Sequence, residues 1–392
     1  MDVPALVWGL TIVGIVGLLL FDFIFHVRKA HIPTLREAAI WSAIYVGLAI
    51  LFGIGVWWFG GATMGTEYFA GWVTEKALSV DNLFVFLIIM ASFKVPREDQ
   101  QKVLLFGIVF ALIARSGFIF LGAALINSFA WIFYLFGAIL LWTAIGLIRG
   151  EDEDDDVDNF VIKLARKYLN TSEHYDGDKL FTVQNGKRML TPMLLVMIAI
   201  GGTDLLFALD SIPAIFGLTT NVYIVFTATA FSLMGLRQLF FLIDGLLDRL
   251  VYLSYGLAII LGFIGVKLIL HALHENNLPF LNGGEPIPVY EIPTSLSLIV
   301  IIGVLLATVV ASLLSPSGKA KTVASNAKRG ANDYLDTSLD ATTREAGYRR
   351  LGDAEKKMDT LSDKHRTEIR EDEELAELIA RAHREYGTPI NR

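Results

Sequence analysis

Thr74-Glu75-Lys76-Ala77-Leu78-Ser79-Val80-Asp81-Asn82 sets three charged side chains inside an apolar run that extends from about residue 68 to 92. Thr203-Asp204-Leu205-Leu206-Phe207-Ala208-Leu209-Asp210-Ser211 repeats the pattern inside a second run, about 192 to 216. Each segment reads Thr, acid, five residues, Asp, then a small amide or hydroxyl side chain. Runs of this length reach the roughly 20 residues that a membrane-spanning helix needs, so both motifs read as charged groups at hydrocarbon depth.

Composition agrees with that reading. The 392-residue chain is 54% hydrophobic and 19% charged, and its net charge of -7 is small for its length. Such a balance is foreign to a soluble globular protein. The apolar residues form nine blocks, at about 3–25, 37–59, 68–92, 103–122, 129–148, 192–216, 222–243, 252–271 and 294–314. The predicted fold class is all-α, a polytopic membrane helical bundle of about nine transmembrane helices. The first block is too long for the apolar core of a signal peptide, has no basic residue before it and is followed by His26-Val27-Arg28-Lys29, so it reads as an uncleaved helix. The chain has no cysteine, which excludes disulfides, thiolate metal sites and thiol redox chemistry.

The 33 Lys and Arg residues orient the bundle. The connections after blocks one, three, five and seven hold 3, 3, 7 and 1 of them, the C-terminal tail holds 15, and Lys76, Arg115, Arg237 and Lys267 lie inside blocks. None is left for the connections on the other side. The positive-inside rule then predicts an outside N-terminus and a cytoplasmic C-terminus.

Other parts of the chain echo the motif pair. Arg115 in the fourth block is matched by Arg237 in the seventh, and Tyr134-Leu-Phe-Gly-Ala-Ile in the fifth resembles Tyr255-Gly-Leu-Ala-Ile-Ile in the eighth. Three blocks therefore look repeated as three blocks. An odd number of crossings per unit makes the two units inverted, the arrangement that places paired sites near the bilayer midplane in many transporters. The expected organisation is two leading helices (1–66), a first three-helix unit (67–149), an acidic cytoplasmic loop (150–190), a second unit (191–273), an external loop with the last helix (274–315) and a charged tail (316–392). The loop opens with the acidic run at 151–156, a solvated linker in the first instance, and continues with a short amphipathic stretch from Phe160 to Leu169. The tail is expected to be flexible, with helical tendency from Arg370 to Tyr386. Loop and tail offer surfaces to protein partners; nucleic acid is not expected as a partner.

Acids at this depth are expensive. A central charge costs about 2.5 to 3.5 kcal/mol on insertion scales, so Glu75, Lys76 and Asp81 together oppose insertion by roughly 8 to 10 kcal/mol before pairing. One explanation is purely structural: Lys76, Arg115, Arg237 and Lys267 neutralise the acids and fix helix packing. Four acids in two matched motifs exceed what packing asks for, and the second explanation is a binding site. On a helix, Glu75, Ser79 and Asn82 line one face with Asp81 to the side, and Asp204, Ala208, Ser211 and Asp210 repeat the geometry. Pro213 cannot donate to the carbonyl of Leu209, and Gly201-Gly202 weakens the same helix just before the motif.

The donors narrow the ligand. All are carboxylate, amide, hydroxyl or carbonyl oxygens, and the seven histidines (26, 31, 174, 271, 274, 365 and 383) fall at block ends, in loops or in the tail. An oxygen-only set suits Mg²⁺, Ca²⁺ or Mn²⁺. Carboxylates clustered without a cation take up protons, which makes exchange of protons for metal a natural expectation.

The segments Glu75-Lys-Ala-Leu-Ser-Val-Asp-Asn82 and Asp204-Leu-Leu-Phe-Ala-Leu-Asp-Ser-Ile-Pro-Ala-Ile-Phe216 resemble the two signature segments of the TerC family, bacterial membrane proteins named for tellurium resistance. The resemblance covers about residues 1–314. It implies a bacterial plasma-membrane protein of the LysE-like transporter group, with members linked to manganese export and to supplying metal to secreted proteins. Carried over by position, the implied ion ligands are Glu75, Asp81, Asn82, Asp204, Asp210 and Ser211, supported or gated by Ser79, Lys76, Arg115, Arg237, Lys267, Leu209 and Pro213. Some relatives carry a lysine in the fifth block where this chain has Gly146, and the charged tail is not part of the family core. The expected activity is export of Mn²⁺, with Ca²⁺ second, and no permanently bound cofactor or enzymatic reaction is expected. The family name also suggests a metal-sensing or stress-resistance factor that acts through partners without transport. A two-aspartate intramembrane hydrolase lacks the motifs such enzymes use.

Overall fold

The computed structural model describes residues 3–27, 35–93, 95–96, 99–129, 131–149, 179–184, 187–243, 250–276, 278, 281–335 and 341–386. The acidic run at 151–156, the stretch from Phe160 to Leu169, His31 and His174 lie outside the described residues. Two compact units are present, Met1–Leu242 with Ser254–Leu305, and Ile243–Leu253 with Leu306–Arg392.

The first unit is a helical membrane bundle. Its helices are α1 (Ala5–Asp22), α2 (Leu35–Ser92), α3 (Gln100–Ser128), α4 (Ile132–Arg149), α5 (Pro192–Phe216), α6 (Val222–Leu233), α7 (Leu236–Ile243), α8 (Leu253–His274) and α9 (Thr294–Leu314). A π-turn, Phe23–Val27, continues α1. Among the described residues, eight helical stretches are long and apolar enough to cross a membrane, with α6 and α7 together forming one of them. Their outward faces are apolar, as lipid requires; Trp58 and Phe59 are 83% and 93% exposed.

Two of the expected blocks, 37–59 and 68–92, share the 58-residue α2. It is a hairpin and not a rod. A straight helix would hold residues 49 and 68 about 28 Å apart, yet Tyr68 donates to the Ala49 carbonyl at 3.0 Å, and the Phe52 and Tyr68 rings lie 5.4 Å apart. The reversal sits at Gly61, whose φ of 87° and ψ of 172° suit glycine alone. The second arm therefore starts at residue 62, earlier than the block boundary suggests. A second break falls at Gly235, φ 78°, which divides the expected seventh span into α6 and α7.

The core of the bundle joins α1, both arms of α2 and α6 through Ile15, Tyr45, Ala49, Tyr68, Tyr223, Phe226 and Phe231. Helix α2 packs on α5 and α6, and α3 packs on the same two helices. Ahead of α5 stands a two-stranded antiparallel hairpin, β1 (Phe181–Gln184) and β2 (Lys187–Leu190), in the register Phe181 with Leu190. Its alternation is too short to read from the sequence.

The second unit replaces the flexible tail expected from composition with packed helices: α10 (Pro316–Leu335), α11 (Ala341–Met358), α12 (Asp363–Glu371) and α13 (Glu373–Tyr386). The last of these matches the helical tendency read over 370–386. Its core is built from Val323, Ala327, Ala331, Tyr334, Leu351, Ala354, Leu375 and Ala382. Few large apolar residues are needed, because α10 and α11 meet at glycines: a Cβ on Gly330 would lie 2.8 Å from the Gly347 carbonyl oxygen. Small residues let the helices approach closely enough to exclude water.

Candidate functional site

The second arm of α2 and helix α5 carry the two motifs into the middle of the bundle. Glu75 and Ser79 on α2 are 0% and 1% exposed, and Asp204 and Ser211 on α5 are 3% and 1% exposed. Asn82 is also buried, while Asp81 and Asp210 are half-buried. Arg115, 1% exposed on α3, joins the two motifs. Its Nε and Nη2 donate to the two carboxylate oxygens of Asp204 at 3.0 Å each, and its Nη1 donates to Ser211 Oγ at 3.2 Å. The same Nη1 forms an ion pair with Glu75. Asp210 lies within electrostatic reach of both Arg115 and Asp81.

The two motif acids nearest the centre thus share one guanidinium. Two carboxylates against one cation leave one negative charge uncompensated within that group. Glu75 Oε1 is taken up by the Arg115 ion pair, while its Oε2 and the buried Ser79 hydroxyl one turn along the same helix have no hydrogen-bond partner. Thr229 and Ser232 on α6 carry buried hydroxyls in the same condition. Buried polar groups are almost always satisfied, so orphaned oxygens beside an ion pair mark a place built for a polar occupant. Among the described residues, no three acidic or histidine side chains converge closely enough to hold a metal ion as they stand. Arg115 occupies the centre instead.

The other three basic residues within the blocks do not neutralise the motif acids in the way a packing network requires. Lys76 Nζ donates to the backbone carbonyls of Ser232 and Met234 at 2.9 and 3.4 Å, capping α6 where Gly235 ends it. Arg237 pairs with Asp22, Nη2 to Oδ1 at 2.7 Å and Nε to Oδ2 at 3.2 Å, and its Nη1 donates to Gln101. Gln238 Nε2 donates to the same Asp22 at 2.9 Å. Lys267 reaches Thr294 and Ser297 at 3.5 and 3.4 Å. The two arginines that match in sequence therefore differ in the structure, since Arg115 grips the motifs and Arg237 ties α7 to the end of α1. Leu209 is 52% exposed, and Pro213 is accommodated within α5, which runs on to Phe216.

Asp22, Gln101 and Glu67 escaped the sequence reading. Each sits within a few residues of an apolar block boundary, where a polar side chain reads as an interface residue. Of the histidines, His271 pairs with Glu291 at 2.9 Å and stands 3.7 Å from Glu275. That hydrogen bond holds the Glu291 carboxyl below its ordinary range.

The chain is similar to known proteins along most of its length. It is 58% identical over 390 residues to an uncharacterized membrane protein of Mycobacterium bovis, covering 98% of each chain. An uncharacterized membrane protein of Myxococcus xanthus is 39% identical over 309 residues, 78% of this chain and 92% of the relative. The Alx protein of Escherichia coli K12, named as a candidate membrane-bound redox modulator, is 36% identical over 313 residues, 77% of this chain and 92% of the relative. No solved structure matches. The profile described as "Integral membrane protein TerC family" matches residues 60–320, a span that contains both motifs and Arg115, and the chain belongs to that family.

Proposed function

We propose that this chain exports a hard divalent cation, Mn²⁺ first and Ca²⁺ second, across the bacterial plasma membrane. In this reading the N-terminus lies outside, the C-terminus is cytoplasmic, and the two motif-bearing units are inverted repeats. The observation that carries the reading is Arg115, a tethered cation set between Glu75 and Asp204 beside oxygens that accept no hydrogen bond. A divalent ion brings twice the charge of a guanidinium and accepts the same oxygen donors. As it enters, Arg115 releases one or both acids; Asp81, Asn82, Asp210 and Ser211 complete the coordination, and protons return as the ion leaves. The buried carboxylates keep a cationic partner throughout, Arg115 in the empty site and the ion in the loaded one.

Alx bears on a second reading, a stress factor acting through redox state. This chain has no cysteine, so redox modulation would run through the metal it moves and not through thiol chemistry. The test is Mn²⁺ flux into proteoliposomes made with purified protein. Wild type is expected to carry Mn²⁺, and Asp81→Asn or Asp210→Asn to reduce flux to background while the protein stays folded. Absence of flux in wild type favours the partner-mediated role.

A further inference from the structure

Glu67 stands on the same arm of α2 as Glu75, eight residues earlier and about 12 Å away along the helix. Its carboxylate accepts a hydrogen bond from Thr219 Oγ1 at 2.6 Å, and Thr219 is buried in the connection between α5 and α6. Lys267 of α8 acts on Glu67 through its charge, and its ammonium reaches the Thr294 and Ser297 hydroxyls at the start of α9. Thr294 in turn donates to the Leu218 carbonyl at 3.0 Å. Thr219 and Lys267 thus act directly on one half-buried carboxylate, and α9 is tied to both through Lys267 and Leu218, at the end of the bundle where α5 stops and α6 and α9 begin.

Between Glu67 and Glu75 lies Gly71, turned by about 40° from each. The α2 backbone there touches its neighbours directly. A Cβ on Gly71 would lie 3.3 Å from Ala228 Cβ on α6 and 3.4 Å from Ile215 Cγ2 on α5. On the face that joins the two acids, Gly71 is therefore in tight apolar contact with Ile215 and Ala228.

We propose that Glu67, with Thr219, is an outer station for the divalent cation, and that the contact of Gly71 with Ile215 and Ala228 is the closure separating it from Glu75. The proposal rests on the transport reading above. One carboxylate and one hydroxyl supply too few ligands to strip a divalent ion, so the ion keeps most of its water at Glu67 and sheds it on reaching the motif acids. Lys267 supplies positive charge to the same carboxylate and competes with the ion.

The test compares Mn²⁺ uptake by right-side-out and inside-out membrane vesicles carrying wild type, Glu67→Gln, Thr219→Val or Asp210→Asn. Losing the charged ligand is expected to raise the half-saturating Mn²⁺ about tenfold when Mn²⁺ is presented on the Glu67 side. The shift from the opposite side is expected to be at most a third of that. Thr219→Val is expected to show the same asymmetry at smaller amplitude, and it decides the matter if Glu67→Gln is not folded. Equal shifts from both sides, or no shift from either, overturn the outer station. If these variants fail to show asymmetry while wild type carries Mn²⁺ and Asp210→Asn abolishes uptake, the station alone is wrong; if wild type shows no uptake above protein-free vesicles, the transport reading falls and the station with it.

Discussion

Arg115 of α3 and Asp204 of α5 form a bidentate pair, Nε and Nη2 each 3.0 Å from a carboxylate oxygen. The planar guanidinium fits a carboxylate in this way, and an ammonium does not. Under the proposed transport function, the pair sets a tethered cation in competition with a mobile one.

Removing Arg115 leaves Glu75 and Asp204 buried without their partner. Arg115→Gln is expected to lower stability by about 3 to 5 kcal/mol, read as a lower melting temperature in detergent. Neutralising both acids in the same chain, Glu75→Gln with Asp204→Asn, is expected to restore most of that loss. A melting temperature unmoved by Arg115→Gln contradicts the pairing.

Lys76 serves the backbone and not the ion. Its two bonds to the Ser232 and Met234 carbonyls satisfy the end of α6. Lys76→Met is expected to destabilise the protein by about 1.5 to 3 kcal/mol, with residual flux tracking the amount of folded protein. Gly235→Ala attacks the same joint from the other side, because φ is 78° and the added Cβ would sit 2.7 Å from Tyr45 Cβ. Flux per folded molecule that collapses in Lys76→Met, as in Asp210→Asn, places Lys76 in the ion path instead.

The loop before α9 closes on α8 through Glu291 and His271, 2.9 Å apart. Hydrogen bonding to His271 depresses the Glu291 carboxyl below its ordinary 4.5. A depressed acid contributes fully above its unfolded value and loses that contribution as pH falls through the folded one. Amide protection in residues 285–290, corrected for the intrinsic pH dependence of exchange, is therefore expected to hold at pH 5 to 7 and to fall below 4.5. His271→Ala is expected to lower that protection slightly at pH 5 to 7 and to remove its pH dependence. The pair is exposed, so the change is local and small.

The tail unit carries a testable core. Leu351 is 0% exposed between α10 and α11, and Leu351→Asp puts an unpaired charge there. Limited trypsin digestion of residues 316–392 is expected to quicken about tenfold in that variant. Digestion that is equally fast in wild type contradicts a packed tail.

Much of the bundle was legible because the length of an apolar run is a local property. Helix α5 lies where its block predicts, the second arm of α2 ends with its block but starts earlier, and the helical spacing of Glu75, Ser79 and Asn82 gives their common burial. Pairing is not local. Nothing in the sequence says that Arg237 reaches Asp22, 215 residues away, while Arg115 holds both motif acids. The sequence already separates the blocks 37–59 and 68–92; what it leaves out is that both arms stay helical up to a reversal at Gly61. The tail misleads by composition, since its core is made of alanines and glycines that hydropathy counts lightly.

The central claim is that one divalent cation takes the place of Arg115 between Glu75 and Asp204. Mn²⁺ titration of the purified protein, followed by the loss of the free-Mn²⁺ electron paramagnetic resonance signal, tests it most directly. The predicted result is a single site in wild type that disappears in the Glu75→Gln, Asp204→Asn double variant, in protein whose helical circular dichroism shows it still folded. Mn²⁺ binding of equal affinity and stoichiometry in the two proteins contradicts the claim.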